Sequence, residues 1–212
     1  MKILIYLCLC SAMILLSTTA CGNSSADIGN SEAASLMEFT EVVHAQENSA
    51  AKAKISTTAN TSVPIENAAF TTSYDPKKAN RTHNLSKAAA IIDGIIINPD
   101  ETFSFNNIIG NAGKAEGYKP ARIFVRGVEK EGYGGGICQV SSTLFNAADS
   151  AGLKIVERHP HSKRVHYVEE GRDAATAFGS VDLKIKNVFS YPVVIFCKAT
   201  DGKLTVTLEQ II

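Results

Sequence analysis

The chain has 212 residues, with 21 basic and 21 acidic side chains and a formal net charge of +0. That balance excludes the basic footprint of a nucleic-acid binder, and the absence of Trp removes one kind of stacking platform. A hydrophobic content of 45% is that of an ordinary globular domain.

Residues 1–20 read as a signal peptide. Lys2 supplies a short positive start, and ILIYLCLCSAMILL is an apolar stretch of secretory type, short for a membrane span. LSTTAC then leads into Cys21. A small residue followed by Cys resembles the lipobox of bacterial lipoproteins, with Thr18 where that pattern prefers Leu. On this reading Cys21 is lipidated, becomes the mature N-terminus and anchors the chain to the membrane on its extracytoplasmic face. An ordinary signal peptide cut near Ala20, or an uncleaved anchor, is the alternative.

Residues 21–69 read as a flexible tether. GNSSADIGNSEAAS and NSAAKAKISTTANTSVP carry few large apolar groups and cannot offset the entropy of ordering. LMEFTEVVHA is a candidate short amphipathic helix within it, with His44 solvated. The domain proper is placed at 70–212, starting near Phe70. LSKAAAIIDGI is predicted as a helix capped by Asn84 or Ser86 and ending at Gly94. NPDETFSFNNIIG follows as a turn and a short extended piece. ARIFVRGVE alternates and is β-branched, which predicts a strand, and EGYGGG a loop. CQVSSTLFNAADSAG predicts a second helix. Its buried stripe is Ile137, Val140, Leu144, Ala147 or Ala148, and Ala151, and Gly152 is its C-terminal cap. LKIVERH, RVHYV, SVDLKIKNV, YPVVIFCKA and KLTVTLEQII are strand candidates. Two helices packed on a mostly antiparallel sheet give an α+β class, in a single domain of about 140 residues.

The stretch GYGGGICQV carries the chemistry. A cysteine in the first turn of a helix meets unpaired N–H groups and the positive end of the helix dipole, and both favour thiolate over thiol. Gly134, Gly135 and Gly136 would let a substrate backbone approach the sulfur of Cys138. The N–H of Cys138 and of a loop neighbour would serve as an oxyanion hole, with Gln139 adding a side-chain donor. A thiol nucleophile also needs a base. ERHPHSKRVHY offers His159, His161 and His166. His159 and His161 are two apart, so on an extended strand they share a face. EGRDAAT offers Asp173 to orient an imidazole and Arg172 to bind a carboxylate. Three other readings stay open from the spacing: a disulfide between Cys138 and Cys197, a zinc site of Cys138, His159 and His161, and a purely structural glycine turn. Zinc sites commonly show a C-x-x-C or H-x-x-x-H clip, which is missing here, so no metal or cofactor is expected.

NRTHNLSKAAAIIDGIIINPDETFSFNNIIG, GGGICQVSSTLFNAADSAGLKIVERHPHS, GRDAATAFGSVDLKIKN and YPVVI, taken in order, closely resemble the VanW domain. The likeness runs from about Tyr74 to Ile195. It implies exported cell-envelope work. Some members are understood to act as L,D-transpeptidases that cross-link peptidoglycan stem peptides. Carried over, the motif cysteine is Cys138, the histidines of RHPHS are His159 and His161, and the GRD acid is Asp173. The resemblance implies acyl transfer through a Cys138 thioester. The alternative is a non-catalytic peptidoglycan- or glycopeptide-binding module, or an accessory envelope lipoprotein.

Overall fold

The computed structural model describes residues 62–125 and 127–212, all within one compact unit, Glu41–Ile212. The stretch read as a signal peptide, the candidate lipidation site Cys21 and the candidate helix around His44 lie outside the described residues. In chain order the elements are β1 (Ser62–Ser73), α1 (Ala79–Ile92), β2 (Ile95–Ile97), β3 (Thr102–Ser104), α2 (Phe105–Ile109), β4 (Pro120–Val125), β5 (Val128–Tyr133), α3 (Ile137–Ser150), β6 (Lys154–Glu157), β7 (Lys184–Lys186), β8 (Val193–Thr200) and β9 (Lys203–Ile211).

The main sheet has four strands in the order β1-β9-β8-β2, and a three-stranded sheet has the order β3-β7-β6. β4 and β5 form a separate hairpin, and all these pairings are antiparallel. In β9, Leu204, Val206 and Leu208 alternate into the interior, as do Val193, Ile195 and Cys197 of β8. This period of two meets the helical period of Leu85, Ala88, Ala89 and Ile92 in α1 and of Val140, Leu144, Ala147 and Ala148 in α3. Each large aliphatic buried there contributes about 1.5–3 kcal/mol. The α+β class and the two helices on an antiparallel sheet are what the periodicity predicts.

Five local features differ from the sequence expectation. β1 begins at Ser62, within the stretch read as tether, because β9 supplies a pairing edge along it from Ile211 to Lys203. α1 starts at Ala79, a turn before the expected cap. Asn84 does not cap it. It is fully buried, donating to Lys119 O (2.8 Å) and Gly135 O (3.1 Å) and accepting from Lys119 N (2.8 Å). The expected turn after Asn98 contains α2, capped by Ser104, whose hydroxyl accepts from Asn107 N. ARIFVRGVE is no single strand but turns back on itself, pairing Val125 with Val128, with Gly127 at φ 76°. RVHYV is not a strand. Val165 and Tyr167 are half-buried and Arg164 and His166 exposed, so the alternation reports one dry face without a pairing partner.

Candidate active site

The glycine run ends in α3, with Cys138 in its first turn. Each glycine has a reason within the fold. A Cβ on Gly134 would sit 2.9 Å from Ala112 Cβ, and on Gly135 2.5 Å from Arg122 O. Gly136 has φ 113°, and its Cβ would meet Arg81 O at 2.9 Å. The turn is therefore clamped between β4 and α1, and side chains are excluded first of all by the protein's own backbone. The same three glycines also line a cleft of about 940 Å³ that contains Cys138, a size suited to a small ligand. At the other end of α3, Leu153 N donates to Ala148 O and Gly152 N to Asp149 O, the paired bonds of a Schellman cap.

Helix α3 fixes Cys138 against the segment 171–177. Ser142 Oγ donates to Cys138 O (2.7 Å) and accepts from Ala174 N (2.9 Å), while Ser141 Oγ donates to Ala174 O (2.7 Å). That segment runs antiparallel to the chain leaving β6, with Ala175 N donating to His159 O at 2.7 Å. Asp173 is thereby set opposite His161. Its Oδ2 accepts from His161 N (2.6 Å) and lies 2.5 Å from His161 Nδ1. A carboxylate accepts, so Nδ1 carries the proton and Nε2 is left to face the thiol. Asp173 Oδ1 accepts from Arg158 Nη2 at 2.9 Å, and Arg158 also donates to Gly171 O at 2.8 Å. Burial would raise the Asp173 pKa, but the bonds from His161 outweigh it and hold it low.

His161 and Cys138 line the same cleft and act on each other's ionisation. Burial acts to raise the thiol pKa. The side chain and charge of His161, followed by the bonds with Thr176, prevail and lower it. Cys138 Sγ lies 3.5 Å from Thr176 O. Burial likewise acts to lower the His161 pKa, and Cys138 and then Asp173 overcome it and raise it. Opposite shifts on adjacent groups favour a thiolate–imidazolium pair. Cys138 and Cys197 are both free thiols, so they form no disulfide.

The remaining sequence candidates take other places. His159 bonds Glu157 Oε1 at 3.0 Å, with 42% of its side chain exposed, and does not enter the Cys138–His161–Asp173 set. Gln139 is buried with its amide used internally, donating to Thr72 Oγ1 and Ser73 O and accepting from Arg81 Nη2. Arg172 is docked on α3, bonding Asn146 Oδ1 and Asp149 Oδ2 (2.7 Å each) and lying over the Phe145 ring. The first-turn N–H groups of Ile137 and Gln139 are spent on Gly134 O and Gly136 O.

Sequence reasoning missed three residues beside the thiol: Arg81, Tyr167 and Thr176, all lining the cleft. Arg81 had a legible signal. It precedes Asn84 and Leu85 by three and four residues, so it stands on the buried stripe of α1, where a cation is out of pattern.

Fold and site together define a class: an α+β domain in which a helix-borne cysteine and a histidine line one cleft, the histidine held by a buried aspartate. Comparison with known proteins gives the family. The model described as VanW like protein matches residues 80–209, and the chain belongs to that family. It is 45% identical over 139 residues to the uncharacterized protein YoaR of Bacillus subtilis (strain 168), covering 66% of this chain and 46% of the relative. It is 34% identical over 114 residues to the vancomycin B-type resistance protein VanW of Enterococcus faecalis (strain ATCC 700802 / V583), covering 51% of this chain and 41% of that protein. The matched region is thus less than half the length of each relative. No solved structure matches.

Proposed function

We propose that the chain is a cell-envelope thiol acyltransferase acting on peptidoglycan stem peptides through a Cys138 thioester. The observation that carries this is the ordered set Cys138, His161 and Asp173 at an open cleft, with both cysteine and histidine shifted toward their charged forms. The peptidoglycan substrate rests on the family resemblance, and export with anchoring through Cys21 on the N-terminal pattern. The name of the Enterococcus relative places that protein in vancomycin resistance, which agrees with work on the cell wall.

In the proposed reaction the Cys138 thiolate adds to the carbonyl carbon of the donor peptide's scissile bond. The Cys138 N–H, in the first turn of α3, is the candidate oxyanion donor. Protonated His161 gives its proton to the departing amine, the C–N bond breaks and a thioester remains. Neutral His161 then takes a proton from the amine of a second stem as that amine attacks the thioester. The new amide forms and the thiolate leaves. Asp173 holds the ring with Nδ1 protonated throughout, so Nε2 is the atom that shuttles the proton. Water in place of the second amine would give hydrolysis.

The test is incubation of the full chain with a disaccharide-tetrapeptide, followed by mass spectrometry. A cross-linked dimer and a covalent adduct on Cys138, both lost in Cys138→Ala, are expected. A folded protein that forms neither would overturn the enzymatic reading in favour of a binding module.

A further inference from the structure

Among the described residues, no carboxylate pairs with Arg81. Arg122, Arg158 and Arg172 each pair with a carboxylate there, and the other unpaired cations of the cleft, Lys78 and Arg164, are exposed, whereas Arg81 is half-buried. Its one side-chain acceptor is Gln139 Oε1, at 2.8 Å. Gln139 is itself held at 2.9 Å by Thr72 and at 2.9 Å by Ser73, so the guanidinium is aimed by a rigid support. A guanidinium has five N–H donors, and a fork with a carboxylate would take two of the four that Gln139 leaves. Burial lowers the Arg81 pKa, with Tyr167 and Cys138 as the opposing influences. Tyr167 does not supply an anion, because burial and then the Cys138 charge push its pKa up and keep it a neutral hydroxyl. The thiolate is already balanced by His161. A half-buried cation facing a cleft without an anion is an ion pair missing its partner, and such groups are rare in interiors unless paired.

We propose that Arg81 is the anion-binding residue of the cleft and takes the terminal carboxylate of the substrate. Both Arg81 and the nucleophile line the one cleft, and the Cys138 charge acts on Arg81. For a donor held there by its free end, the attacked carbonyl would be that of the residue before the one whose carboxylate is seated. The scissile bond is then the last peptide bond of the donor, and an internal bond is excluded because its next residue carries an amide in place of the carboxylate. Specificity for a free chain end thus comes from α1, outside the glycine motif. This deepens the acyl-transfer reading and, for its peptide substrate, rests on it.

Two probes separate the subsite from the function. Iodoacetate and iodoacetamide both alkylate a thiolate, the sulfur forming a C–S bond as iodide leaves, and they differ in carrying a carboxylate or a neutral amide. The thiolate fraction cancels in the ratio of their rates. In the full chain this ratio at Cys138 is expected to exceed that of free cysteine severalfold. It should fall to the free-cysteine value in Arg81→Gln and lie between in Arg81→Lys, which keeps the charge without the fork and serves if the Gln variant does not fold. Native-like folding is checked by circular dichroism. With donor peptides, the native chain should favour a free carboxylate over its carboxamide by on the order of tenfold to a hundredfold, the range of a charge-assisted bond, and Arg81→Gln should lose that preference. An unchanged alkylation ratio in the folded variants overturns the subsite. A collapsed ratio with no turnover of either peptide keeps the subsite and overturns the peptidoglycan reading instead.

Discussion

Replacing Asp173 by asparagine keeps the size of the side chain and removes its charge. Three donors point at the carboxylate: His161 N, His161 Nδ1 and Arg158 Nη2. An amide has one oxygen and one NH2. Turned toward His161, the oxygen keeps both His161 bonds in weakened form and sets the NH2 against Arg158. Turned the other way, it sets the NH2 against two donors of His161. Losing charge assistance costs about 1 kcal/mol per retained bond, and one opposed donor costs about 1–3 kcal/mol, giving roughly 3–5 kcal/mol in all. Arg158 keeps 23% of its side chain exposed, so water recovers part of its loss and the lower end is expected. At about 2–4 °C per kcal/mol for a domain of this size, the melting temperature should fall by roughly 6–12 °C at pH 7. The difference must also depend on pH. The Asp173 pKa is depressed, so the carboxylate's contribution is present above its unfolded pKa and lost as pH falls through the folded one. Native chain and variant should converge in acid. Thermal unfolding followed by circular dichroism at pH 7 and in steps toward pH 2 reads both effects. A variant melting within a degree or two of the native chain at pH 7, or a gap that widens in acid, would refute the role given to this carboxylate.

Removing His161 reverses the balance on the thiol: in His161→Gln burial prevails, and the pH midpoint of Cys138 alkylation by iodoacetamide should move from below to above that of free cysteine, as followed by mass spectrometry across pH. In the same experiment Cys197 should stay unlabelled until denaturant is added, because burial and then Asp93 hold its thiol up. Gly135→Ala places a methyl 2.5 Å from a backbone oxygen that cannot retreat, and about 1–3 kcal/mol should be lost, read as a lower urea midpoint with an unchanged slope. Asn84→Ala strands Lys119 N–H and the carbonyls of Lys119 and Gly135 beside the buried Asn84 position and should cost about 2–4 kcal/mol in the same titration.

What could be read from the sequence was mostly what repeats. The alternation of β9 is periodic because one face is buried, the apolar stripe of α3 is periodic although that helix is buried all round from Gln139 to Ala148, and Gly152 marks the end of α3 by chemistry that needs no tertiary context. Cys138, His161 and Asp173 were legible as types at suggestive spacings, whereas choosing His161 over His159 depends on the antiparallel run of 171–177 beside the chain leaving β6. β1 was hidden because its pairing partner lies at the far end of the chain. The cost of a side chain on the glycines was also hidden, since Arg122 O and Arg81 O come from distant segments. Arg172 and Arg81 show the limit most directly. Both are arginines near the motif, and only the packing of α1 and α3 decides which faces the cleft and which is turned to Asp149.

The serine pair that ties Cys138 O to Ala174 has a consequence for how this region comes apart. Ser141 and Ser142 are themselves fully buried on α3, beside Val140 and Leu144 in the core. The link between Cys138 and the segment of Asp173 is therefore anchored in the core and not on a fraying loop. It opens only when α3 leaves the sheet. In hydrogen-exchange terms the amide of Ala174, although it lies outside any helix or ladder, is expected to exchange with the slowest cooperative unit of the domain. The geometry around Cys138 then persists as long as the domain is folded, and is lost with it in a single step.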